Sequence, residues 1–189
     1  MKKVICFISE NFADFEITLV LHKIKNIGKR EVVTVGNRIE QVKSESGLIY
    51  KPNLSVKEAL QLDDIEGLIL PGGPINTQSD LLTQLLVKLD REQKMLAAIC
   101  NGPQYLGRSG ILNNRKFTTS CSLDRIRILG VEDPFPRQTF INCRVITDGH
   151  VITAKGRAFI DFSFEIFAYL GIYQNIDEQE QLYNDILNR

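Results

Sequence analysis

The chain has 189 residues, 43% of them hydrophobic and 24% charged, with 23 basic side chains against 23 acidic ones. That length suits one domain with a sizeable core, and the composition is that of a globular protein. Balanced charge excludes a protein that tracks nucleic-acid phosphates, because such proteins concentrate positive charge.

The apolar run at 4–8 stops at Ser9-Glu10 and is too short for a signal-peptide core or a membrane span. A cytoplasmic protein with no nucleic-acid and no membrane partner is therefore expected. The local basic groups, Lys23, Lys25, Lys29 and Arg30, then Arg125 and Arg127, read as solvated helix faces. Cys6, Cys100, Cys121 and Cys143 lie far apart without a C-x-x-C pair. That spacing argues against a zinc site or a stapled secreted fold and for reduced thiols.

Residues 3–9 are nearly all apolar, which predicts a strand buried on both faces. From about residue 13, Ile17, Val20, Leu21, Ile24 and Ile27 form a helical stripe that Gly28 closes. Residues 31–35 are rich in β-branched side chains and predict a strand. Residues 39–51 suggest an irregular hairpin around Ser46-Gly47, and Ser55 a cap for a short helix through Leu60. A strand at 65–70 runs into Pro71-Gly72-Gly73-Pro74, and Ser79 caps an amphipathic helix to about Arg91. Next come a strand at 95–99, a helix at 102–109, breaks at Gly110 and Asn113-Asn114, an extended Thr118-Thr119 and a helix at 122–129. Residues 144–147 and 150–154 predict a hairpin around Asp148-Gly149, followed by an apolar helix at 159–170 and a polar one at 177–187. This alternation predicts an α/β domain with a mainly parallel sheet, spanning 1–189, in which 172–189 is a C-terminal helical extension.

Sites in such sheets form beyond the carboxyl ends of the strands. Cys100 stands there, between an apolar strand and a helix, as the sulfur version of a nucleophile elbow. The helix N-terminus is expected to favour its thiolate. The competing reading is a cysteine that only packs. Glu16 has Phe12, Phe15, Leu19 and Val20 for neighbours, company that keeps a carboxyl protonated and able to serve as acid or base. Alternatively it is a surface glutamate near a helix start. Gly72 and Gly73 permit close backbone approach, and the Gly73 and Asn101 N–H groups are candidates for an oxyanion hole. The plainer alternative is a tight turn. His150 is expected at an exposed hairpin tip, and His22 on a helix face away from Glu16. Neither makes a cysteine–histidine couple. Cys6 and Cys143 read as packing. Cys121, next to Ser120 in a loop expected near the elbow, is a candidate resolving thiol.

Ala97-Ala98-Ile99-Cys100-Asn101-Gly102-Pro103-Gln104 resembles the A-I-C-x-G-P elbow of the ThiJ/PfpI superfamily, relatives of the class I glutamine amidotransferases. Ala13-Asp14-Phe15-Glu16 resembles its early acidic motif, Ile69-Leu70-Pro71-Gly72-Gly73 its P-G-G turn, and Thr153-Ala154-Lys155-Gly156 its late segment before an apolar helix. The resemblance spans roughly residues 3–171. It implies a flavodoxin-like three-layer sandwich, usually a homodimer, with no metal and no cofactor. It also implies Cys100 as nucleophile, Glu16 as partner acid, and oxyanion contacts at Gly73 and Asn101.

Membership predicts fold better than reaction. Asn101 stands where the peptidase branch has histidine, which argues against a peptidase. Thr119-Ser120-Cys121 stands where the glyoxalase-like branch commonly has one, so Ser120 and Cys121 are accessory candidates. The histidine–glutamate pair of the amidotransferases has no counterpart after Cys100. The leading expectation is a cysteine-dependent hydrolase or lyase acting on a small-molecule carbonyl substrate, glyoxalase-like or deglycase-like. The alternatives are a redox-responsive or chaperone-like protective protein, and a member that has lost activity.

Overall fold

The computed structural model describes residues 1–173 and 175–187. Its centre is a seven-stranded sheet. β1 (Lys3–Phe7) lies between β2 (Glu31–Gly36) and β6 (Ile65–Leu70), and β5 (Leu54–Ser55) borders β2. Beyond β6 follow β7 (Met95–Ile99), β9 (Val151–Ala154) and the edge strand β8 (Val145–Asp148), which alone pairs antiparallel.

The strands read as unbroken apolar runs because both sheet faces are covered. Ile5 and Phe7 point into one core and Val4, Cys6 and Ile8 into the other, with a period of two. The first core is closed by α2 (Val56–Ala59), α3 (Asp80–Arg91), α4 (Pro103–Arg108) and α5 (Leu123–Leu129), through Val56, Leu82, Leu85, Leu106 and Ile126. The second is closed by α1 (Phe15–Asn26) and α6 (Phe159–Leu170), through Ile17, Val20, Phe162 and Phe167. The result is the expected three-layer α/β sandwich.

Serine caps sit where the sequence places them. Ser55 completes a capping box with Glu58, and the Ser79 hydroxyl accepts from Leu82 N. The segment at 39–51 forms the small hairpin of β3 (Val42–Lys43) and β4 (Ile49–Tyr50). Asp14 pins it to the start of α1, its carboxylate accepting from Ser44 Oγ at 3.0 Å and Ser46 Oγ at 2.7 Å. The last helix, α7 (Ile176–Leu187), lies against α6, where the Tyr183 hydroxyl donates to Asp161 at 2.9 Å. Of the expected C-terminal extension, positions 174, 188 and 189 lie outside the described residues.

His150 departs from expectation. It sits in the hairpin turn but is only 3% exposed, and its Nε2 lies 2.7 Å from Asp90 Oδ1, which also accepts from Arg115 at 3.2 Å. The hairpin forms, but its two-residue turn is Gly149-His150, since Asp148 pairs with Val151, and His150 O accepts from Leu96 N. Its backbone thus belongs to the sheet, and its ring is carried under the end of α3.

Candidate active site

The elbow starts from backbone strain. Cys100 has φ +61°, a conformation that costs a non-glycine residue on the order of 1–2 kcal/mol. The surroundings over-determine it. Cys100 N donates to Ala154 O at 2.9 Å, while Cys100 O accepts from Thr119 Oγ1 at 2.6 Å and from Ser120 N at 3.0 Å. Gly102 completes the corner, since a Cβ there would lie 2.3 Å from Leu70 O.

Glu16 meets Cys100 from the first turn of α1 and is 1% exposed. Its Oε2 accepts from Gly72 N at 2.7 Å, and its carboxyl shares a hydrogen bond with the Cys100 thiol. Two glycines make room for the pair. A Cβ on Gly72 would lie 2.6 Å from Glu16 Oε2, and one on Gly156 2.7 Å from Glu16 Oε1 and 3.1 Å from Cys100 Sγ. Ser120 closes the other side, its hydroxyl hydrogen-bonding Cys100 and accepting from Gly156 N at 2.9 Å.

Burial raises the Glu16 carboxyl to about 7. Burial, then the Glu16 carboxylate, push the Cys100 thiol up to about 12, against the pull of the Ser120 hydroxyl and Asn101 N–H. The two groups titrate as a coupled pair in which burial favours the neutral form of each. Burial thus opposes the thiolate that the corner position leads one to expect. The helix behind the corner is six residues long and begins with a proline, which has no N–H to offer.

Above the pair lies a cleft of about 530 Å³. Its floor is Gly73, Cys100 and Asn101; Asn11, Ala13 and Glu45 form one wall and Arg125, Leu129 and Val131 the other. Asn101 Nδ2 donates to Gly73 O at 2.7 Å. Gln104, 1% exposed, donates to Pro74 O and accepts from Asn76 N, both at 2.9 Å. Two side chains around the start of α4 thus hold the Gly73–Asn76 loop against the elbow. Gly72 takes a different part from the one expected, because its N–H is committed to Glu16 and holds the acid.

Cys121 does not reach the cleft. It is buried, its thiol lies 3.8 Å from Ser122 O, and it lines a separate cavity on the far side of Ser120. A resolving role toward Cys100 is not supported by that placement. Arg125 is exposed as read, yet it stands on the cleft wall. Gly156, Glu45 and Gln104 also escaped as site residues. Gly156 was within reach, as a glycine just after a strand in the late motif.

A sequence model of the DJ-1/PfpI family matches residues 2–169. The chain belongs to the DJ-1/PfpI family. Among DJ-1/PfpI relatives, it is 27% identical over 157 residues to Deglycase TK1284 of Thermococcus kodakarensis, covering 81% of this chain and 89% of that one. It is 28% identical over 184 residues to the uncharacterized protease YoaZ of Bacillus subtilis, covering 91% and 85%. The crystal structure of the DJ-1 superfamily protein Atu0886 from Agrobacterium tumefaciens superposes with a TM-score of 0.82 at 27% identity, covering 98% of both chains.

Proposed function

We propose that this DJ-1/PfpI protein is a cysteine-dependent hydrolase or lyase for small carbonyl compounds, deglycase-like or glyoxalase-like. The observation that carries this reading is a half-buried thiol hydrogen-bonded to a buried carboxyl on the floor of an open cleft. The deglycase names of the relatives from Thermococcus kodakarensis and Pyrococcus furiosus support the same substrate chemistry.

In the first step Glu16 takes the thiol proton as the Cys100 sulfur bonds to the carbonyl carbon. The carbonyl π pair moves to oxygen, where the Gly73 and Asn101 N–H groups receive it. Glu16 returns its proton to that oxygen, which leaves a hemithioacetal on Cys100 and no change in net charge. In a deglycase-like reaction the same proton goes to the departing amine or thiol. Glu16 then serves as base and acid in turn.

Cys100→Ser tests the reading. Turnover of α-oxoaldehydes and of their amine adducts is expected to fall by about 10³-fold or more, the scale of losing a covalent nucleophile. Turnover that survives the substitution rejects it.

A peroxide-responsive thiol is a second reading, favoured by the hydroxyl, N–H and carboxyl that surround one sulfur. Peroxide would oxidise Cys100 to the sulfenic acid with release of water. Mass spectrometry after mild peroxide treatment checks this, and oxidation of Cys100 no faster than Cys143 ends it.

A further inference from the structure

Arg125 occupies a position where local helix physics asks for an acid. α5 is capped by Ser122, whose hydroxyl accepts from Arg125 N at 3.1 Å, so Arg125 is the third residue of the helix. In α2 the equivalent residue is Glu58, whose carboxylate reaches back to Ser55 N at 2.8 Å and closes the capping box. A cation in the first turn also faces the positive end of the helix dipole.

Asp124 supplies the one acid of this first turn, and it is paired elsewhere. Among the described residues the Arg125 guanidinium has no ion pair and no hydrogen bond, whereas Arg127 two residues on is paired with Asp124 at 3.2 Å. The side chain instead lines the cleft over Cys100, on the wall with Leu129 and Val131. Glu45 stands on the other wall, near enough that its charge raises the Glu16 carboxyl. An anion entering the cleft is therefore repelled from one wall and attracted to the other, and that asymmetry sets its orientation.

We propose that Arg125 is a substrate-binding residue that seats a carboxylate, so that the site prefers small 2-oxo acids to neutral aldehydes. A guanidinium suits this part because it stays charged and offers a planar fork to a carboxylate. Apolar Leu129 and Val131 beside it limit competition from water. The inference rests on the reading of Cys100 as the nucleophile toward carbonyl carbon.

The test uses two alkylating reagents that differ in one carboxylate, iodoacetate and iodoacetamide, with the Cys100 rate of each followed by mass spectrometry on the whole protein. Arg125→Gln is expected to lower the iodoacetate-to-iodoacetamide rate ratio at Cys100 by about tenfold, the scale of one charge-assisted hydrogen bond. Arg125→Lys recovers part of the ratio, Glu45→Gln raises it, and the ratio at Cys143 stays constant as the internal control. The parallel measurement is inhibition of methylglyoxal turnover by glyoxylate, which adds reversibly to the Cys100 thiol as a hemithioacetal, and Arg125→Gln is expected to raise its inhibition constant by about the same factor. An alkylation ratio that ignores Arg125 overturns the proposal. If the ratio responds to Arg125 while the wild-type protein does not turn over methylglyoxal, the carboxylate site stands and the enzymatic reading falls.

Discussion

The two ends of the central sheet handle charge in opposite ways. At the amino end several partly buried charges have partners. Lys3 pairs with Asp64, Arg30 with Glu66 at 2.9 Å, and His150 and Arg115 share Asp90. At the carboxyl end Glu16 is buried with no cation among the described residues, Cys100 holds a left-handed φ, and Arg125 on the cleft wall has no protein partner. One end pairs most of its partly buried charges. The other keeps strain and uncompensated charge within a few residues, which is where local rules are expected to give way to function.

Changing Glu16 to Gln probes the carboxyl end most directly. Turnover is expected to fall by about 100-fold or more, the usual scale for losing a general base. The wild-type rate should rise with pH through about 7, where Glu16 becomes a carboxylate, and the variant profile should lose that limb. Stability runs the other way. The folded value of Glu16 lies above its ordinary 4.5, so its contribution is complete below 4.5 and is lost as pH rises through about 7. Urea unfolding at about pH 5 and about pH 8 should show the wild type losing stability relative to Glu16→Gln, which stays neutral throughout.

Gly72→Ala asks how much of the site is a matter of space. Its Cβ would press on Glu16 Oε2 at 2.6 Å and Cys100 Cβ at 2.7 Å. Turnover is expected to drop about tenfold or more with about 1–3 kcal/mol of destabilisation, the scale of overpacking, read by kinetics and denaturant titration. His150→Ala acts at the amino end and gives the smallest effect on activity. It should cost about 1–3 kcal/mol by leaving Asp90 short of a donor, while kcat stays at the wild-type value. A His150 variant that loses turnover in proportion would erase the contrast between the two ends.

Much of the carboxyl end is legible in the sequence because its demands fall on adjacent residues. An apolar strand that stops at Cys100, with Gly102 and Pro103 behind it, reads as an elbow because each residue type meets a local backbone need. Glu16 and the Gly72-Gly73 turn are readable for the same reason, as a carboxyl in apolar company and a turn after a strand. The parts of Gly156 and Ser120 were harder to read, because each acts across the fold on atoms about twenty to a hundred and forty positions away in sequence. His150 failed because the Asp148-Gly149 turn predicts a tip without saying what the tip packs against.

By itself the sequence determined the order of strands and helices, the two buried sheet faces and the residue at the elbow, since these follow from side-chain periodicity and short-range backbone preference. Tertiary structure alone decided the electrostatic setting of the Cys100–Glu16 pair. The dipole argument expects a thiolate at Cys100, but burial beside Glu16 holds the thiol near 12 and the carboxyl near 7. Desolvation and charge–charge coupling depend on what lies within a few ångströms, and here those neighbours come from four separate segments, around residues 16, 72, 120 and 156.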